Sequence, residues 1–329
     1  MRSFIRTREA AFQSVFYPQP HLGIPFSTRL PAITHSQHLL FKPRYSTRFA
    51  ARMTTFEHPE FKVPITLPEG LSQDQLLSFH PFNSWLQTLQ ASLALQSTNP
   101  SHPFHQSPYL LRSITIQAYD LFGPRRIGFL KLQSKITTDK NEWLPGAVFL
   151  RGPSVAMLVM LIPDDVDTIN DDERYVLLTV QPRVAAGSLE FVELPAGMVD
   201  EAGNFSGTAA NEIKEELGLD IPSSELTCLS DLVSPEKEEV LIRDGNLPRG
   251  VFPSPGACDE YIPIYAHERR VPRAQLGEWT GRLTGLRDEG EKITLKLVPM
   301  REVWREAARD GKTLAALALW DGLRRDGKV

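Results

Sequence analysis

Residues 193–219 carry the most informative pattern of the chain and read ELPAGMVDEAGNFSGTAANEIKEELGL. In a helix, Glu212, Glu215 and Glu216 would stand at positions i, i+3 and i+4, which places three carboxylates on one face. Like charges at such short range repel, and a divalent cation such as Mg²⁺ relieves the repulsion because it prefers oxygen ligands. The alternative is an acidic face that contacts only solvent, and the three glutamates alone leave both interpretations open.

The pattern predicts a helix over residues 206–217. Gly218 follows directly, and glycine suits the left-handed conformation in which many helices end. An apolar stripe about 120° from the acids would anchor this helix to a sheet while the acids face a cleft; it consists of Ala209, Ala210, Ile213 and Leu217.

The spacing of this segment resembles the signature of the Nudix hydrolases: glycine, five residues, Glu, seven residues, then Arg-Glu-aliphatic-x-Glu-Glu-x-Gly-aliphatic. Seven positions match, namely Gly197, Glu212, Ile213, Glu215, Glu216, Gly218 and Leu219. Gly203 and Asn211 stand where the family has a Glu and an Arg that pair with each other. Because both partners are replaced, no unpaired buried charge remains, and we interpret the departure as structural.

The resemblance implies an active site that uses Mg²⁺, with Mn²⁺ as a possible substitute. The implied metal ligands are Glu212, Glu216, Glu215 and the main-chain carbonyl of Ala196. Glu215 would act through the metal or through metal-bound water. In relatives that act on ADP-ribose, the base that activates water comes from a loop before a late strand. Glu291, directly before Lys292-Ile-Thr-Leu, matches that placement, and Glu289 is the rival.

Residues outside the signature are similar to the ADP-ribose and ADP-sugar diphosphatase subset, including the plant chloroplast enzymes. Pro235 lies sixteen residues beyond Leu219, and the run 252–260 resembles a Ser-Pro-Gly loop that approaches the active site. The implied reaction is hydrolysis of an ADP-sugar to AMP and sugar 1-phosphate. The candidate substrate-binding residues are Arg183 of a Gln-x-Arg motif, Arg151, Ser254, Gly256, and Phe122 or Phe129 as a stacking face for adenine. A surface ion pair is the alternative for Arg183, and a core position is the alternative for either phenylalanine.

Two other functions remain open at this point. The chain resembles a hydrolase family with many substrates, so another nucleoside diphosphate derivative, such as NADH, coenzyme A or capped RNA, is one alternative. The departures at Gly203 and Asn211 leave a catalytically weak ADP-sugar sensor as the other. Retention of the glutamates argues against the sensor, and a phosphate-release assay with Mg²⁺ separates the two.

The N-terminal segment 1–52 differs in charge from the rest of the chain. It holds eight basic residues, one acid and nine Ser or Thr, which is typical of an organellar targeting segment. We expect mitochondrial import, with a possible cytosolic form starting at Met53. Of the chain's 36 basic and 40 acidic residues, 28 and 39 lie in the remainder, whose net charge of −11 disfavours nucleic acid as a partner. The longest apolar run, residues 155–162, is too short to cross a bilayer.

The remaining patterns predict an α/β fold. We expect a small N-terminal α+β unit over residues 53–146, with a helix over 74–95 and strands over 113–119 and 126–135. A Nudix domain, an α/β/α sandwich with a mixed sheet, would follow over 147–329. Its expected strands cover 147–151, 155–162, 175–180, 189–194, 260–266 and 292–299, and a final helix covers 313–325. In relatives the N-terminal unit builds a homodimer and contributes to the adenine pocket, so a homodimer is expected here.

Overall fold

The computed structural model describes residues 53–166, 173–199, 204–233, 247–286 and 291–329. The expected targeting segment lies outside the described residues, as do Gly203, Pro235 and Glu289. Within the described part of the chain, no helix has the length and hydropathy that a membrane span requires.

The first sheet has six strands in the order β1-β2-β3-β4-β5, and β6 pairs with β4. It extends to Leu150, four residues past the boundary expected from the sequence, because β6 joins this sheet. The two long strands predicted from the sequence form its centre as β3 and β4. The strands are β1 (Thr54–Glu57), β2 (Pro64–Leu67), β3 (Leu110–Phe122), β4 (Arg126–Thr137), β5 (Trp143–Leu144) and β6 (Ala147–Leu150).

Two helices cover this sheet, where the sequence predicted one over 74–95. They are α1 (Gln73–Ser78) and α2 (His80–Thr98), and extended Phe79 separates them. The prediction of a single helix was wrong because Pro81 has no N–H to donate to the Leu77 carbonyl and its ring would clash with that carbonyl in a continuous helix, so a new helix starts with Pro81 in its first turn. Both helices bury apolar side chains on the sheet, among them Leu76, Phe82 and Leu86.

The second sheet is mixed, with the order β11-β12-β7-β8-β14-β13, and β9 and β10 pair with β8 and β7. Only β12 and β7 run parallel within it, as far as the described strands go. The strand predicted over 260–266 begins later, at Ile264, after Pro263, which has no N–H for a ladder. The strands are β7 (Ser154–Pro163), β8 (Tyr175–Arg183), β9 (Ser188–Glu193), β10 (Ala196–Met198), β11 (Thr227–Cys228), β12 (Ile264–Val271), β13 (Leu283–Thr284) and β14 (Ile293–Pro299).

Helices cover both faces of this sheet, which confirms the expected α/β/α sandwich. Strand β7 is buried throughout, and its side chains alternate: Val155 and Met157 pack under α3, whereas Leu158 and Met160 pack under α5 and α6. The helical segments are α3 (Phe205–Glu212), which continues as a π-helical turn (Ile213–Leu217), α4 (Leu229–Leu232), α5 (Met300–Glu306), α6 (Gly311–Arg325), and 3₁₀ turns at Val184–Ala186, Ser223–Glu225 and Arg273–Glu278.

Candidate active site

The predicted acidic helix forms, but it does not present three equivalent carboxylates. Its last turn, Ile213–Leu217, is π-helical and ends at Gly218, which has the left-handed φ of 67°. The wider π turn changes the register of the glutamates relative to an α-helix. Glu216 is buried, Glu212 is partly buried and Glu215 is exposed. The three carboxylates lie near one another, since Glu215 and Glu216 each interact electrostatically with Glu212, but they differ in exposure.

Glu216 lies under the loop that precedes the helix. Its Oε2 accepts a hydrogen bond from the Ala196 N–H at 3.0 Å, and the Gln181 side chain donates to its Oε1 at 3.4 Å. Burial and the charge of Glu212 raise the pKa of Glu216 to about 8, although the two donors and Arg183 act in the opposite direction. The structure thus holds a carboxyl group where its negative charge is costly without a cation.

Glu212 packs against the backbone of Gly197. A Cβ on Gly197 would overlap with Oε1 and Cδ of Glu212, so only glycine leaves room for this carboxylate. Burial, then the charges of Glu215 and Glu291, raise the pKa of Glu212 to about 7, and Arg183 lowers it. The first glycine of the signature and its first helical glutamate therefore form a steric pair.

Arg183 ends strand β8, two residues after Gln181, and both side chains act on Glu216: Gln181 donates a hydrogen bond to it, and the charge of Arg183 lowers its pKa. Arg183 Nε donates to Glu193 Oε1 at 2.5 Å. The Arg183 side chain is 39% exposed, whereas that of Glu193 is 4% exposed. The ion pair of Arg183 therefore has a buried anion as its partner, and the partly exposed guanidinium is close enough for its charge to act on both Glu212 and Glu216.

Glu291 is exposed and lies two residues before the start of β14. Its Oε2 accepts the Leu286 N–H at 3.1 Å, and its charge acts on Glu212. The backbone N–H of Gly285, in the same loop, lies 3.4 Å from the Glu215 carbonyl oxygen and connects this loop to the π turn. Glu289, the alternative candidate for the base, lies in the part of the chain that the structure does not describe.

Comparison with known proteins gives the family of the chain. The NUDIX domain family matches residues 164–317. Nudix hydrolase 14, chloroplastic, from Arabidopsis thaliana is 31% identical over 322 residues, which cover 95% of each chain. The chain belongs to the Nudix hydrolase family. A solved structure titled "Crystal structure of ADP compounds hydrolase" is 18% identical with a TM-score of 0.37, and the match covers 67% of this chain and 99% of that one.

As a Nudix hydrolase, the protein acts on phosphoanhydride bonds of small nucleoside diphosphate derivatives, and the family generally uses divalent metal ions. Among the described residues, no three His, Cys, Asp or Glu side chains converge into a metal cage. Mg²⁺ is usually bound through one or two carboxylates and shares its other positions with waters and substrate phosphates. The paired carboxylates of Glu212 and Glu216 fit such an open site, and the described contact of Ala196 with it is the backbone N–H that Glu216 accepts.

Other candidate residues of this Nudix hydrolase lie at the junction with the first sheet. The Asp259 carboxylate accepts the backbone N–H groups of Arg151 and Gly152 at 2.8 and 3.1 Å, and Arg151 Nη1 pairs with Glu260 at 3.2 Å. Arg151 also lines a small cavity together with Phe122. The acids of the run 252–260 therefore position the Arg151 segment, which the sequence did not indicate.

Ser254 and Gly256 are exposed and are not brought next to the carboxylates by any described contact. The Ser254 carbonyl accepts the N–H groups of Ala257 and Cys258 at 3.2 and 3.0 Å, which makes this run a tight turn. Gly256 lines a groove of about 510 Å³ between this turn and α2, whereas Ser254 is not among its lining residues.

The two phenylalanines are not equivalent. Phe122 is 41% exposed and Phe129 is partly buried; their rings meet edge to face at 5.1 Å, and Phe149 lies 5.5 Å from Phe129. Because the Phe122 ring is exposed, the alternative that Phe122 occupies a core position is excluded. The three rings form an accessible aromatic patch on the first sheet.

The raised carboxyl pKa values predict how the stability of the metal-free protein varies with pH. Between the unfolded value of 4.5 and the folded values of about 7 and 8, native Glu212 and Glu216 hold protons that the unfolded chain has released. Stability should therefore fall as pH rises through this window. We expect the Tm in EDTA to decline more steeply between about pH 5 and pH 8 for the wild type than for E212Q/E216Q, and Mg²⁺ to restore the wild type. Parallel Tm profiles would contradict the burial argument.

Proposed function

We propose that this Nudix hydrolase cleaves the diphosphate of ADP-sugars, of the ADP-ribose and ADP-glucose type, to AMP and sugar 1-phosphate in the presence of Mg²⁺ or Mn²⁺. The observation that carries the proposal is the pair of carboxylates, partly buried Glu212 and buried Glu216, beside the partly exposed guanidinium of Arg183. An anionic pair next to a cation is suited to metal ions that bring a diphosphate with them. The choice of ADP-sugars rests on the resemblance of the run 252–260 and of Pro235.

The proposed reaction assigns a role to three side chains and to the bound cations. Arg183 binds a phosphate oxygen, since a planar guanidinium suits oxyanions. Glu291 accepts the proton of the attacking water, which its exposed carboxylate can reach. Bound divalent cations would neutralise the diphosphate and polarise phosphorus. Glu215, exposed beside them, would contact the metal-bound water.

Product analysis tests the substrate class directly. The protein is incubated with Mg²⁺ and ADP-ribose, ADP-glucose or ADP-mannose side by side, and AMP and sugar 1-phosphate are separated by chromatography. We expect AMP from at least one of the three. Cleavage of NADH or coenzyme A in their place would move the substrate to another nucleoside diphosphate derivative, and binding of ADP-sugars without cleavage would make the protein a sensor.

Glu291→Gln tests the base. A base acts on the water and contributes mainly to the transition state, so turnover should fall by ~10²-fold while the Kd for substrate in Ca²⁺ changes little. Steady-state kinetics and calorimetry give the two quantities. Glu289→Gln is the matched comparison: a silent Glu291→Gln beside a damaging Glu289→Gln would assign the role to the other acid.

The aromatic patch of Phe122, Phe129 and Phe149 supports a proposed adenine contact, because such rings stack on a nucleobase. In the proposed homodimer the first sheet of one protomer would offer this patch near the active site of the other.

The targeting segment 1–52 is proposed to direct the protein to mitochondria on its charge composition alone, and a chain starting at Met53 would stay cytosolic.

A further inference from the structure

An ion network lies behind Arg183, and no part of the proposed mechanism uses it. The buried carboxylate of Glu193 has two cations: Arg183 Nε contacts Oε1 at 2.5 Å, and Lys312 Nζ contacts Oε2. Lys312 Nζ also lies 3.1 Å from Asp310 Oδ1. The side chains of Glu193, Lys312 and Asp310 are 4%, 10% and 7% exposed, so three charges of the network are shielded from water, whereas the Arg183 side chain is 39% exposed.

The network joins the last helix to the loop that carries the active-site glycine. Asp310 caps α6, and its Oδ2 accepts the Leu194 N–H at 3.2 Å as well as the hydroxyl of Thr313 at 2.6 Å. Thr313 Oγ1 also lies 3.2 Å from the Leu194 nitrogen. Leu194 stands two residues before Ala196, whose N–H holds Glu216. The start of α6 therefore holds both Glu193 and the chain that follows it.

We propose that Lys312 is a positioning residue for substrate binding, which keeps the positive charge of Arg183 available to the diphosphate by neutralising Glu193 from behind. This inference rests on the proposed function. With Lys312 present, two cations balance two buried anions, Glu193 and Asp310, so Glu193 does not depend on Arg183 alone and Arg183 can act on a second anionic partner. Without Lys312, Glu193 has Arg183 as its main counter-charge, and its negative charge also opposes an incoming diphosphate.

The first test measures binding of ADP in Ca²⁺ by calorimetry, since ADP contains the diphosphate whatever sugar the enzyme prefers. Lys312→Met should weaken ADP binding ~10-fold, which corresponds to about 1.4 kcal/mol, and Lys312→Arg should restore it. Lys296→Met, which removes the exposed pair with Glu306, is the matched control and should bind as the wild type does. Wild-type affinity in Lys312→Met would overturn the proposal.

The second test separates positioning from general damage. In an Arg183→Met background, Lys312→Met should weaken ADP binding by less than ~2-fold, because the group it acts through is gone. A full additional ~10-fold loss would overturn the proposal. In turnover assays Lys312→Met should raise KM with little change in kcat, as expected when the same interaction is lost from the ground and transition states.

A charge-compensated variant keeps the test decisive if Lys312→Met folds poorly. Glu193→Gln combined with Lys312→Met removes one buried anion together with one buried cation and leaves Arg183 and Asp310, so the network stays neutral and ADP binding should return to within ~3-fold of the wild type. Affinity as weak as that of Arg183→Met would overturn the inference. If the wild type cleaves no ADP-sugar but binds ADP in a Lys312-dependent manner, the proposed substrate fails while this inference stands.

Discussion

Glu216→Gln should lower the turnover of the enzyme by ~10²-fold or more, since it removes a ligand charge from the proposed site for divalent cations. Glutamine has the size of glutamate, and its carbonyl oxygen can still accept the Ala196 N–H, so the fold should persist. Because the pKa of Glu216 is raised to about 8, its carboxyl group is mostly protonated at neutral pH. A neutral amide in its place should therefore not lower the stability of the fold. The measurement is the rate of AMP release as a function of Mg²⁺ concentration, with Tm as the check on folding.

Glu225→Gln is the matched control for this change. Glu225 is an exposed glutamate in the 3₁₀ turn Ser223–Glu225, away from the carboxylate pair. We expect this control to keep wild-type turnover. Mg²⁺-dependent activity that is unchanged in Glu216→Gln would remove Glu216 from the metal site.

Gly197→Ala should have a comparable effect by a steric route. The added methyl group would overlap with the carboxylate of Glu212, so Glu212 must leave its position. The φ of Gly197 is not in the left-handed region, and alanine can adopt the backbone conformation. The loss should therefore act through Glu212: we expect turnover to fall ~10²-fold, and Gly197→Ala combined with Glu212→Gln to be little worse than either change alone.

Gly277→Ala supplies the control for the glycine change. No heavy atom lies within 4 Å of the Cβ that would be added at Gly277, and its φ is also outside the left-handed region. This variant should keep its activity. Fully additive effects of Gly197→Ala and Glu212→Gln would mean that the glycine acts through something other than the glutamate.

The acidic helix shows which properties of the site could be predicted from local sequence. The periodicity of Ala209, Ile213 and Leu217 correctly placed a helix with one buried face, and Gly218 correctly ended it. The periodicity could not predict the π turn, because a change in hydrogen-bond register leaves no mark in the residue pattern. Packing of the last turn against the sheet is what buries Glu216 and leaves Glu215 in solvent.

The two helices of the first sheet show that the sequence contained a signal for the helix break that the prediction did not use. A single helix was expected across Phe79, although Pro81 stands in the middle of that range. The apolar side chains of both helices pack on the sheet, so the burial pattern could be predicted from the sequence. The break between the helices is caused by the proline, which cannot continue a helix. Gln181 was not predicted as a site residue, although it stands two residues before Arg183, a spacing that puts side chains on one side of a regular strand.

By itself the sequence determined the family, the mixed sandwich and the identity of the carboxylates, because these depend on residue type and short-range spacing. Only the tertiary structure decided how the groups are used. Lys312 and Glu193 are 119 positions apart, and no local pattern relates them. Their contact exists because α6 packs on the same sheet that carries β8 and β9, and a buried carboxylate must find its counter-charges among whatever side chains that packing brings close.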